Sequence, residues 1–239
     1  MGISTSAILQ QGELTLKGEF IWGSNYTFLV EVKYAKDTYL GVYKPTRGER
    51  PLWDFPESSL AQREVAAYLV SEALGWDLVP PTTYRQDGHL GPGSLQLFIE
   101  HDPEYHYFKF NPEDRQLLRP VVLFDLLINN ADRKGSHILF DANHHLWLID
   151  HGICFHVEDK LRTVVWDFGG EPFPNELTVS LDAFSLKLKN GSSAVLDSLR
   201  ELLSAGEIRA LTGRASRLLA SGCFPNPHPN KRAFPWPPV

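Results

Sequence analysis

Residues 129–152 read NNADRKGSHILFDANHHLWLIDHG. They follow an apolar run, VVLFDLLI at 121–128, that reads as the end of a buried helix. Asp132 then falls in a loop, with His137 five residues on. HILFD and HLWLID read as two short strands of a hairpin, and Asp150 ends the second. Phosphoryl transfer needs a carboxylate near the attacking hydroxyl, a second carboxylate on a divalent metal and one more metal ligand. A loop, a hairpin and a strand-end carboxylate bring Asp132, His137 and Asp150 to one mouth. Taken singly, Asp132-Arg133 is a turn cap and Asp150-His151-Gly152 a strand-end turn. Two aspartates flanking a hairpin behind a buried helix are a more specific pattern.

The first hundred residues supply the other half of a nucleotide site. Stretches 12–21, 26–32 and 38–43 read as three antiparallel strands. The turn Gly23-Ser24-Asn25 lies between the first two, where backbone N–H groups can cover phosphates. Lys44 ends the third strand in GVYKP, and Glu64 falls early on a helix over 60–74 closed by Gly75. A strand lysine held by a helix glutamate is the arrangement that cradles phosphates in kinases. Each alone has a bland reading: a solvated strand end, a surface charge, a hairpin turn. Two further strands, near 82–85 and 94–99, complete a β-β-β-α-β-β order.

After residue 100 the pattern becomes helical. Residues 112–129 read as one long buried helix with Pro112 in its first turn. Stretch 151–176 reads as loop, and segments near 192–204 and 206–220 as helices. The tail from Phe224 is dense in proline. Asp167-Phe168-Gly169 matches the protein-kinase metal motif by letter, but no hairpin leads into it, so the metal role goes to Asp150.

Composition sets bounds on partners. The chain has 239 residues, 43% hydrophobic and 22% charged, which is a globular profile. Its net charge of −6 argues against a dedicated nucleic-acid binder. Cys154 and Cys223 make neither a disulfide framework nor a four-ligand zinc site. No apolar run approaches the ~20 residues of a membrane span, and the N-terminus lacks signal-peptide features. These readings lead to the expectation of a cytoplasmic protein with reduced thiols and no stable membrane insertion.

Taken in order, GSNYTFLVEV, GVYKP, REVAAYLVSEALGWDLVPPT, SLQLFIE and ADRKGSH…LIDHG resemble the phosphatidylinositol 3-/4-kinase-like superfamily, in particular its small bacterial members. The resemblance spans roughly residues 12–220. It implies an α+β, two-lobed protein-kinase-like fold. A β-rich nucleotide-binding lobe (1–99) would sit over a mainly helical catalytic lobe (100–223), with a Pro-rich tail (224–239). It implies ATP with Mg²⁺ or Mn²⁺ as cofactors. Lys44 would bind phosphates, Glu64 would orient Lys44, and Ser24 and Asn25 would cover the phosphates. Gln96, Phe98 and Ile99 would belong to the hinge that reads adenine. Asp132 would be the catalytic aspartate, with Lys134 beside it to neutralise a γ-phosphate, and His137 and Asp150 would hold the metal.

Two positions depart from the family pattern. His137 stands where the family has asparagine, and imidazole suits Mn²⁺ better than Mg²⁺. Lys134 stands where the lipid kinases commonly have histidine. The leading reading is ATP-dependent phosphotransfer to a hydroxyl of a protein or small molecule. The alternatives are a nucleotide-binding pseudokinase and transfer of AMP on the same fold. In the 151–175 stretch, Lys160 and Arg162 face Glu158, Asp159, Asp167 and Glu171, which disfavours polyphosphoinositides as acceptors.

Overall fold

The computed structural model describes residues 4–20 and 26–239. Its N-terminal part is an antiparallel sheet in the order β1-β2-β3-β5-β4. The strands are β1 (Glu13–Glu19), β2 (Phe28–Tyr34), β3 (Asp37–Pro45), β4 (Thr82–Arg85) and β5 (Gly93–Leu97). On β2, Phe28, Val30 and Val32 are buried and alternate with more exposed partners, the period-two pattern of a sheet with one covered face. Val30 pairs with Gly41, where a Cβ would come within 2.8 Å of Leu95 Cδ1. Glycine at that point lets β3 lie against β5.

The covering element is a short helix missed by the sequence reading, α1 (Thr5–Gln11), capped by the Ser4 side chain. Its Ile8 and Leu9 enter the same apolar cluster as Val30, Val32, Tyr43 and Leu95. Arg85 Nη1 donates to the carbonyls of Leu9 and Gly12 at 2.7 and 2.9 Å, satisfying the orphan acceptors at the helix end.

Helix α2 (Leu60–Leu74) is buried on most of its circumference, as expected of a helix sandwiched between a sheet and a second core. Glu49 caps its start, accepting from the Leu60 and Ala61 amides at 3.1 and 2.8 Å. Gly75 closes it at φ 69°, the left-handed conformation that favours glycine.

The larger core is helical. Residues 112–129 form two helices rather than one: α3 (Pro112–Gln116) and α4 (Arg119–Ile128). Pro120 explains the break, since it lacks an N–H and its ring would strike the carbonyl of Gln116 in a continuous helix. A two-stranded ribbon follows, β6 (Ile138–Phe140) paired with β7 (Leu146–Leu148). Three helices complete the chain: α5 (Asn175–Lys189), α6 (Ala194–Leu202) and α7 (Ala205–Ser221). Leu123, Leu127, Ile138, Leu148, Phe184, Leu199 and Leu211, all fully buried, belong to one cluster. The Pro-rich tail lies on this lobe. Phe224 is buried against Phe168 and Phe173. Ala233 O accepts from the Thr163 amide at 3.0 Å, and Pro238 O from the Gly135 amide at 2.8 Å. No helix among the described residues is long and apolar enough to cross a membrane.

Candidate active site

The foundation of the site is an ion pair out of solvent. Arg133 Nε lies 3.0 Å from Asp125 Oδ2 and its Nη2 lies 3.0 Å from Oδ1, both side chains fully buried. Arg133 Nη1 also donates to the carbonyls of His137 and Ile149, at 3.2 and 2.9 Å. One guanidinium therefore ties α4 to both strands' ends. Asn130 completes the loop, donating to Asp125 Oδ1 and accepting from the Asp132 amide, at 3.0 and 2.9 Å. These contacts leave the Asp132 side chain partly exposed at the mouth of the loop.

The network continues toward the sheet. Arg133 Nη2 donates to His151 Nε2 at 2.8 Å. Burial, reinforced by Arg133 and Lys44, holds His151 well below its ordinary pKa, so the ring is neutral. The His151 amide donates to Glu64 Oε2 at 2.9 Å. Glu64 Oε1 accepts from Lys44 Nζ at 2.5 Å, and the same ammonium reaches Asp150 Oδ1 at 3.0 Å. Burial opposes the charge on Lys44, but Asp150 and Glu64 outweigh it and raise its pKa. Lys44 in turn holds Asp150 well below the usual carboxylate range. Asp150 has φ 62°, an uncommon conformation for a non-glycine residue.

Lys44, Glu64, Asp132, Lys134, His137 and Asp150 all line one cleft of about 630 Å³. Gln96, Phe98 and Ile99 line it as well. Gln96 Nε2 is committed to Thr82 Oγ1 at 2.9 Å. The Phe98 amide donates to Leu40 O at 2.9 Å, and Ile99 O accepts from His101 Nδ1 at 2.8 Å. Among the described residues, Phe98 O and the Ile99 amide carry no hydrogen bond. Ser24 and Asn25 lie outside the described residues.

Asp132 and Lys134 stand 3.6 Å apart. Burial raises the Asp132 carboxyl to about 6 against the opposing pull of Lys134. His137 Nε2 lies 3.3 Å from Asp150 Oδ2, and burial lowers the ring to about 4, leaving it neutral. A neutral imidazole and an ionised carboxylate on one wall are two of the donors a divalent cation needs. Among the described residues no group of three or more His, Cys, Asp or Glu side chains gathers for a metal. Any such ion would complete its shell with phosphate oxygens and water, a pattern usual for Mg²⁺.

Asp167 does not line this cleft. Its carboxylate accepts from Tyr107 Oη at 2.7 Å and Arg115 Nη1 at 3.2 Å, while Phe168 is buried beneath the Arg119 guanidinium. The segment is a structural clasp. The sequence reading missed Asp125, Asn130, His151 and Glu49 as site residues. A charge inside an apolar run, as at Asp125, was the available signal, because a buried carboxylate demands a partner.

No family model matches the chain. Over 90% of its length it superposes on 86% of the hydra Fam20 chain solved with sugar, with a TM-score of 0.53 and 14% identity. Against a crystal structure of the golgi casein kinase the TM-score is 0.58 at 15% identity, covering 90% of this chain and 72% of that one. At such identities the likeness is one of fold, and the fold is kinase-like: a β-rich lobe over a mainly helical one. In sequence the chain is 38% identical to Protein Rv2133c of Mycobacterium tuberculosis (strain ATCC 25618 / H37Rv), an alignment covering 97% of this chain and 94% of that protein. The chain therefore belongs to the family of Protein Rv2133c.

Proposed function

We propose that this protein is an ATP-dependent phosphotransferase acting on a hydroxyl acceptor, with Mg²⁺ or Mn²⁺ as its metal. The observation that carries the reading is the placement of Lys44 Nζ between Glu64, 2.5 Å away, and Asp150, 3.0 Å away, in the cleft that Asp132 also lines. Lys44 would meet the α- and β-phosphates, and Glu64 would keep it there. Asp150 and His137 would hold the metal, which would neutralise charge on the transferring phosphoryl group. Asp132, raised toward neutrality, would orient or deprotonate the acceptor, and Lys134 would balance charge beside it. Phe98 O and the Ile99 amide offer one acceptor and one donor for the edge of a base. Within the kinase-like fold, the motif order favours the phosphatidylinositol 3-/4-kinase-like branch. The acceptor belongs to the class of small molecules or proteins.

ATP labelled at the γ- or the α-phosphate, incubated with the protein and Mg²⁺ or Mn²⁺, tests this reading. Release or transfer of the γ-label alone is expected. Attachment of the α-label would instead mark AMP transfer. Nucleotide binding with neither label moving, across protein and metabolite acceptors, would mark a pseudokinase.

A further inference from the structure

The molecule carries a second cavity, of about 610 Å³, on the helical lobe, and none of the residues lining it lines the cleft. In a chain of net charge −6 this cavity is basic. Lys160, Arg162, Arg214, Arg217, Lys231 and Arg232 line it, and Asp159 is the one acid among its lining residues. Two of the cations are already paired: Lys160 with Asp54, and Arg217 with Asp159 at 3.2 Å. Among the described residues the other four have no acidic partner within salt-bridge distance. Arg214 is only 4% exposed. Its Nε and Nη1 donate to the carbonyls of Leu127 and His156, at 2.8 and 3.1 Å, while its buried Nη2 has no hydrogen-bond partner. That nitrogen is closed off from solvent, so Arg214 offers the cavity its positive charge rather than a free hydrogen-bonding edge.

The cavity's chemistry narrows the ligand. Four cations without an acidic partner among the described residues, with the guanidinium groups of Arg162 and Arg232 toward solvent, match a multiply charged phosphate group better than a lone carboxylate. Leu126, Leu161, Trp166 and Leu218 supply apolar wall for the body of a small molecule. The walls also reach the catalytic loop. The Arg162 amide donates to Asn130 O at 2.9 Å, and Arg162 O accepts from the Arg133 amide at 3.0 Å. The tail that contributes Lys231 and Arg232 continues to Pro238, whose carbonyl accepts from the Gly135 amide.

We propose that this cavity is a second ligand site, taking a small soluble molecule that bears a phosphate group, and that its occupant fixes the C-terminal tail against the catalytic loop. The site stands apart from the reading of the cleft as a nucleotide site. Calorimetric titration of the full chain with sodium pyrophosphate, without divalent metal, tests it. The Lys44→Ala variant serves as background, so that the ammonium assigned to the phosphates in the cleft is absent. Binding is expected to persist in that background and to weaken at least ten-fold when Arg162→Ala and Lys231→Ala are added. Arg162 is half-buried and Lys231 exposed, and neither has an acidic partner among the described residues, so the added pair should leave the melting temperature nearly unchanged. Pyrophosphate should also slow hydrogen exchange at the Gly135 amide.

Equal affinity with and without the added pair, or no binding in the Lys44→Ala background, would overturn the site. Unchanged exchange at Gly135 would overturn the link to the tail. Co-sedimentation with vesicles containing phosphatidic acid is the remaining arm. Binding there without binding of soluble pyrophosphate would overturn the assignment to a soluble ligand.

Discussion

Arg133 and Asp125 meet through both carboxylate oxygens with no exposure of either side chain. Removing one partner of such a pair strands the other charge in the core, at about 3–5 kcal/mol. Asp125→Ala should therefore lower stability by that amount, although Asp125 is outside the cleft lining. Chemical denaturation of the variant measures it. A loss below ~1 kcal/mol would show that the pair is not the anchor of the 129–133 loop.

Lys44 should decide nucleotide binding. A ligand at a hundred-fold excess over Kd stabilises by about 2.7 kcal/mol, read as a rise in Tm. ATP with Mn²⁺ should give such a shift in the native protein, and Lys44→Ala should abolish most of it. Asp150→Asn should also weaken metal–nucleotide binding, whereas Asp167→Asn should leave it intact. The reverse ranking of the two aspartates would sink the metal assignment.

The His137 imidazole, neutral and 3.3 Å from Asp150, favours a softer ion than Mg²⁺. Turnover or binding should be better with Mn²⁺, and His137→Asn should move the preference toward Mg²⁺. Parallel titrations with the two ions settle this. A strong Mg²⁺ preference in the native protein would remove His137 from the metal shell.

Asp132 makes opposite predictions for activity and stability. As a base it must be ionised, so turnover should fall as pH drops through about 6, the value to which burial raises it. Asp132→Asn should lower turnover by ~10²–10⁴ while leaving ATP affinity nearly intact. The folded pKa is above the unfolded one, so this group's contribution to stability is present at low pH and lost as pH rises through about 6. At neutral pH Asp132→Asn should then stabilise the fold by roughly 1 kcal/mol, or ~2–4 °C in Tm. A variant that is inactive and also less stable would point to a structural role.

Four charged residues of the cleft were legible because their spacing follows the elements that carry them, whereas Glu49, in the loop before α2, was not. Lys44 ends a strand, Glu64 falls within the next helix, and Asp132 and Asp150 flank the ribbon. Helix α5 was not legible. Its buried residues Leu177, Leu181, Phe184 and Leu188 keep helical spacing, but the exposed Val179 and Leu186 interrupt the stripe and mimic alternation. Helix α1 was too short to show a period. The basic cavity could not be read from one segment. Residues 151–175 alone look acidic, and the cations that join Lys160 and Arg162 come from α7 and the tail, distant in sequence.

Helix α2 has divided loyalties. Its Ala66, Ala67, Val70 and Leu74 are packed into the larger helical core, and buried Arg63 donates to Cys154 O at 2.6 Å and pairs with Glu207 of α7. Its Glu64 nonetheless grips a lysine on the sheet. If the sheet rocks over the helical body, α2 stays with the body, and the Lys44–Glu64 contact becomes the clasp that stretches. The separation of those two side chains is thus a natural gauge of how far the jaws stand open, one that a spectroscopic distance probe could follow as ATP is added.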